Sequence, residues 1–213
     1  MAKGRDLFFA SRAYRFIEAQ HVLILLFAIC FLVSTPMNLM SPAMSIIATD
    51  LGFEEEDRDV YIGSYFNICY SVISLPPAMV VGVLSDHHNR VSILTALTVT
   101  GGCSMIGFGI FSNYPLLLVL RVLQGTAYGA AIPVSYSLMG DLYTPSERAQ
   151  ISALLTASLG GGTLMAQLFA GYFNPYIGWR MPFVLCGVLC LQAGFLFWKT
   201  VQEPQRGALD VGT

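Results

Sequence analysis

Hydrophobic positions dominate this chain in long blocks, and polar residues collect in short breaks between them. The runs 60–84 and 91–111 carry no charge and flank the polar segment Ser85-Asp86-His87-His88-Asn89-Arg90. Each is close to the roughly 20 apolar residues that cross a bilayer as a helix, so the short break predicts two antiparallel spans. A first run, 22–49, is too long for a signal-peptide core and reads as a retained span interrupted by Pro36 and Pro42. Three more follow at about 116–142, 149–173 and 181–201, making six spans. The breaks between them are expected at 50–59, which holds Glu54, Glu55, Glu56 and Asp57, then at 113–115, 141–148 and 174–180. The pattern therefore predicts a cytoplasmic leader over 1–20, a six-span bundle over 21–201 and the start of a linker or tail over 202–213.

Composition agrees with that class. Charged residues make up 11% of the chain and hydrophobic residues 55%, whereas a soluble domain carries about a quarter charged residues. The chain is expected to be an all-α, multi-pass integral membrane protein whose first partner is the lipid bilayer. Alternate breaks, beginning with the leader, hold Lys3, Arg5, Arg12, Arg15, Arg90, Arg148, Lys199 and Arg206, while the other set holds only Arg58 and Arg180. Positive residues favour the cytoplasmic side, which places both termini in the cytoplasm. Plasma, endolysosomal and vacuolar membranes are all compatible. No basic patch with interleaved aromatics appears, so nucleic acid is not an expected partner. The five cysteines fall inside apolar runs without metal-ligand spacing, and no nucleophile has a base at recognisable spacing. Neither a metal, another cofactor nor an enzymatic activity is expected.

The candidate chemistry lies within the spans. Arg121 sits inside the fourth, with Gln124, Gly125 and Tyr128 on its face. Two readings stand: the arginine snorkels to the headgroups, or it lines a cavity and meets a substrate anion or a coupling carboxylate. Asn38, Asn67 and Tyr70 are further candidates for that cavity. Gly125, Gly129, Gly160, Gly161 and Gly162 are expected to let helix backbones approach closely. Asp86 and Arg90, four apart, pair on one face if the helix continues past Asp86, or simply flank a tight turn.

These residues resemble the major facilitator superfamily. Its signature between the second and third spans is matched by Gly82, Leu84, Asp86, Arg90 and Leu94, with Asn89 standing where a glycine belongs and able to tolerate a left-handed backbone. The second signature, Arg-x-x-x-Gly, is matched by Arg121 and Gly125. Asp141, Pro145, Glu147 and Arg148, then Gly178-Trp179-Arg180 with Phe183, and finally Glu203-Pro204 with Arg206-Gly207, follow in the expected order. Within the superfamily the text is most similar to spinster-like lipid transporters. It departs from them where Ala127 and Tyr128 replace a Gly-Glu pair, and Pro36 falls near an acidic position.

The resemblance implies one six-helix half of a twelve-span fold, built as a three-plus-three inverted repeat and completed by a second half or a second copy. It implies a secondary transporter, moving a small organic or amphipathic solute by alternating access, with proton or ion coupling in some members. Gly82, Asp86, Arg90, Asp141, Glu147 and Arg148 take gating and conformational roles under that resemblance. The alternative is a six-span module that transports nothing and binds a partner protein.

Overall fold

The computed structural model describes residues 20–204. Lys3, Arg5, Arg12 and Arg15 of the expected leader, and Arg206 and Gly207 of the expected tail, lie outside the described residues. Six helices are long and apolar enough to cross a membrane: α1 (Gln20–Asp50), α2 (Glu55–His87), α3 (Arg90–Ile110), α4 (Tyr114–Leu142), α5 (Pro145–Ile177) and α6 (Arg180–Thr200). No strand occurs among the described residues.

The helices run further than the apolar blocks because polar residues cap them. The acidic run is not a loop: Asp50 ends α1, and Glu55, Glu56 and Asp57 form the first turn of α2, where carboxylates suit the helix dipole. The expected link 141–148 shrinks to Tyr143 and Thr144. Thr144 and Glu147 form a capping box, with the Thr144 hydroxyl 2.7 Å and its amide 3.2 Å from the Glu147 carboxylate, so α5 starts at Pro145. At its other end α5 runs through Pro175 to Ile177, and only Gly178 and Trp179 turn the chain. Gly178 has φ +76°, a left-handed geometry that suits glycine.

The break between α2 and α3 is a tight turn, and it departs from the continuous helix face. Helix α2 stops at His87 and α3 begins at Arg90, so Asp86 and Arg90 do not share a continuous helix face. Asn89 is extended (φ −63°, ψ 114°) rather than left-handed, and its side chain caps α3 by accepting from the Ser92 amide at 2.8 Å.

Helices α1 and α2 are internally irregular. Pro36 cannot donate to the Leu32 carbonyl, and the Thr35 hydroxyl takes over that acceptor at 2.7 Å. A short 3₁₀ stretch at Ser41–Ala43 carries Pro42. Two π-helical stretches, Asp59–Tyr65 and Cys69–Ile73, precede the Pro76-Pro77 pair in α2. The Ser74 hydroxyl satisfies the Tyr70 carbonyl there.

Three helix pairs form a crossed pattern, α1 on α5, α2 on α4, and α3 on α6, while α3 also lies against α4. Exchanging the triplets α1–α3 and α4–α6 maps this pattern onto itself, as an inverted repeat requires. Two ion pairs repeat it. Arg90, the first residue of α3, pairs with Asp141 in the last turn of α4. Arg180, the first residue of α6, pairs with Asp50, the last residue of α1. The α3–α6 contact is the most extensive, with the backbones meeting at Gly102 and Gly187: a Cβ on either would stand 2.8–2.9 Å from the other's carbonyl oxygen. Two apolar clusters fill the interior, one around Leu26, Leu94, Leu138 and Phe197, the other around Ile47, Phe66, Phe108 and Phe183. The outer flanks of α2 (Met79, Val80, Val83) and α5 (Leu164, Leu168, Tyr172) stay exposed.

Candidate functional site

A cleft of about 190 Å³ opens between α1, α2 and α5, lined by Met37, Asn38, Met40, Ser41, Met44, Asn67 and Gln167. The break in α1 supplies most of it. Asn38 donates to the Ser34 carbonyl at 3.2 Å and to the Thr163 hydroxyl at 3.4 Å, and its own oxygen accepts from Gln167 at 3.3 Å. Asn67 projects from α2 and has no hydrogen-bond partner among the described residues, which leaves its amide open to a ligand. Three amides and one hydroxyl thus face a space otherwise walled by thioethers.

Arg121 lies one layer behind this cleft. It is 1% exposed, so it neither snorkels to the headgroups nor opens on the cleft. Its Nη1 donates to the Pro36 carbonyl at 3.0 Å and to Gln124 Oε1 at 3.1 Å, while Nη2 meets the Met40 sulfur. Gln124 in turn donates to the Ser104 carbonyl at 3.2 Å. The guanidinium stands 4.4 Å from the Phe108 ring centroid and 5.6 Å from those of Phe66 and Phe183. Desolvated cation–π contacts are worth up to about 2 kcal/mol each, yet a buried charge is ordinarily paired. Among the described residues no carboxylate pairs with Arg121, and its Nε is buried without an acceptor. Tyr70 is likewise buried with an unpartnered hydroxyl, its ring 6.0 Å from that of half-buried Tyr128.

The expected cavity residues therefore divide. Asn38 and Asn67 reach the cleft, Arg121 and Gln124 lie together behind it, and Tyr70 and Tyr128 pack on each other between α2 and α4. Met40, Gln167 and Ser41 complete the cleft without having been singled out. Gln167, an amide inside an apolar run, is a signal the sequence did carry.

Among the expected packing glycines, Gly125 leaves no room for a Cβ against the Tyr70 carbonyl, nor Gly162 against that of Phe31. A Cβ on Gly129 would stand 3.2 Å from the Ala78 methyl, and one on Gly161 3.5 Å from the Phe31 ring. Gly160 differs from expectation, since a Cβ there meets nothing within 4 Å; it lies off the α1–α5 contact. Gly82 is similarly open.

The residues at the α2–α3 and α4–α5 ends join into one framework. Arg90 is nearly buried and donates to the Asp141 carboxylate. The neighbouring Val91 amide donates to Glu203 Oε2 at 2.9 Å, fastening the start of α3 to the segment after α6. Arg148 donates to the Tyr143 carbonyl at 3.1 Å and to that of Gly140, closing the end of α4. Burial, and then the Glu147 carboxylate, pushes the Tyr143 phenol above its ordinary value. At the opposite end Asp50 accepts from Arg180 at 2.6 Å and from the Trp179 indole at 3.3 Å.

The profile of the Major Facilitator Superfamily matches residues 26–211. The chain belongs to that superfamily. It is similar to a "Probable hexose phosphate transport protein" of Chlamydia muridarum (strain MoPn / Nigg), 30% identical over 162 residues, covering 76% of this chain and 34% of that protein. It is also similar to the "Quinolone resistance protein NorB" of Staphylococcus aureus (strain bovine RF122 / ET3-1), 30% identical over 159 residues, 71% of this chain and 33% of that protein. The superfamily chain thus spans about a third of the length of these curated relatives. A crystal structure of a bacterial homologue of the human lysosomal transporter spinster, inward-facing and unoccupied, shares the fold. Its TM-score is 0.70 at 24% identity, over 89% of this chain and 44% of that one. The superfamily assignment and the six apolar helices make this an integral, multi-pass membrane protein.

Proposed function

We propose that this superfamily chain forms one half of a secondary transporter that moves a small organic or amphipathic solute by alternating access. The observation that carries the reading is the cleft: Asn38, Asn67 and Gln167 offer amides to one space inside a bundle built to exclude water. Such a mixed lining suits a solute with a polar end and an apolar body. Relatives named for hexose phosphate transport and quinolone resistance favour solutes of this size. A second six-helix half, or a second copy, covers the exposed apolar flanks of α2 and α5 in this reading. Both termini lie in the cytoplasm, residues 202–213 begin a linker, and Arg121 with its neighbours serves the solute or a coupled proton or ion.

The exposed flanks of α2 and α5 favour a second reading as well, in which the bundle binds a partner protein and transports nothing. Proteoliposomes separate the two. The 213-residue chain, alone and as part of the longest open reading frame containing it, is reconstituted and tested for counterflow of labelled sugar phosphates and amphipathic drugs. Saturable flux lost on Asn67→Leu supports transport. Absence of flux in both forms, with stable capture of a second membrane protein, replaces it with the binding module.

A further inference from the structure

Met40 occupies a singular place. Its side chain is buried, its sulfur touches the Arg121 guanidinium, and it also forms part of the cleft floor. A single thioether thus separates a buried cation, without a carboxylate partner among the described residues, from a space lined by hydrogen-bonding amides. We propose that Met40 is a movable cover over Arg121, and that the cleft takes a solute bearing one anionic group, a carboxylate or a phosphate, whose oxygens displace Met40 and close on the guanidinium. The inference rests on the cleft being the solute site and names its substrate class.

Three features support it. Methionine is unbranched, with three rotatable bonds, so it swings aside without backbone movement. Arg121 lacks a carboxylate partner among the described residues and its buried Nε has no acceptor, so an incoming anion that replaces the Met40 sulfur at Nη2 meets a charge that no described carboxylate neutralises. The Phe66, Phe108 and Phe183 rings hold the guanidinium in place from behind. The fork is therefore already oriented when the cover moves. A neutral solute of equal shape gains the amides of Asn38, Asn67 and Gln167 but not the charge.

The test is chemical and needs no transport. The detergent-solubilised chain is treated with phenylglyoxal, and modification of Arg121 is followed by mass spectrometry, with the partly exposed Arg58 as the internal control for reagent. Butyrate and its uncharged isostere butyramide serve as protecting probes. Butyrate is expected to protect Arg121 at about one tenth the concentration that butyramide requires, the scale of one hydrogen bond to a charged group. Met40→Ala should accelerate modification of Arg121 relative to Arg58. Met40→Leu, which keeps the volume but stiffens the cover, should slow it and remains readable if the alanine variant folds poorly. Equal protection by the two probes overturns the proposal, as do equal rates in wild type and Met40→Leu. Solute flux without charge discrimination defeats this inference while leaving the transporter reading intact.

Discussion

Arg180 at the start of α6 closes on Asp50 at the end of α1, 2.6 Å away and 130 positions apart in sequence. The indole of Trp179 donates to the same carboxylate, and the Arg180 guanidinium lies 4.5 Å above the Trp179 ring. The counterpart at the other membrane face, Arg90 with Asp141, joins the same positions of the two triplets in exchanged order. The two differ in solvation: side-chain exposure is 31% and 44% for Arg180 and Asp50, against 11% and 12% for Arg90 and Asp141.

That difference sets the expected effect of neutralising each acid. Partly exposed pairs are worth roughly 0–1 kcal/mol, whereas breaking a buried pair costs about 3–5 kcal/mol by stranding a charge. Asp50→Asn should lower the thermal midpoint in detergent slightly, and less still in high salt. Asp141→Asn should lower it far more, with little salt dependence. Equal shifts for both would show that burial does not separate them.

Glycine contacts give a second, independent comparison. A Cβ on Gly125 runs into the Tyr70 carbonyl, a backbone atom that cannot move aside cheaply, so Gly125→Ala should destabilise by about 1–3 kcal/mol. Gly160→Ala meets open space in mid-helix and should stabilise by roughly 0.5–1 kcal/mol. Thermal unfolding of the two variants side by side decides the matter.

Orientation is tested by labelling. In a background lacking the five native cysteines, a cysteine at Glu55 should react with an impermeant maleimide on intact cells. One at His88 should react only after permeabilisation. The opposite pattern reverses the assignment of both termini.

Arg121 separates a structural from a functional role. Arg121→Leu removes a charge whose place inside a span is unfavourable by roughly 2.5–3.5 kcal/mol at its most central. The cation–π contacts and hydrogen bonds lost are of similar size, so the thermal midpoint should change little. Under the proposed transporter reading, flux by the two assembled halves should fall to background. Arg121→Lys keeps the charge but loses the planar fork, so partial activity is expected. Wild-type flux from the leucine variant would confine Arg121 to packing.

Asp86 is exposed at the end of α2, so Asp86→Asn should leave the thermal midpoint within about 1 kcal/mol of wild type. Under the proposed transporter reading, it should shift the balance between access states of the two assembled halves, read as a changed ratio of uptake to efflux. An unchanged ratio would reduce the segment to a turn.

The six helices and the family were legible in the sequence because both are written locally. Apolar runs of membrane-spanning length and the polar breaks between them act within a few residues of where they stand. Helix ends were harder to place where charged residues sit inside the first or last turn, as Glu55, Asp141 and Arg148 do, since a charge looks the same in a loop and in a cap. Arg121 could be singled out from its cost in lipid, but its surroundings could not. Whether it met headgroups, a cavity or three phenylalanine rings depended on how α4 is rotated against α1, α2, α3 and α6. Likewise the partners of Arg90 and Arg180 lie 51 and 130 positions away, and only the crossed packing of the two triplets brings them together. The sequence determined which segments cross the membrane; the register and rotation of those segments against one another, set by glycine contacts such as Gly102 on Gly187, decided which side chains meet.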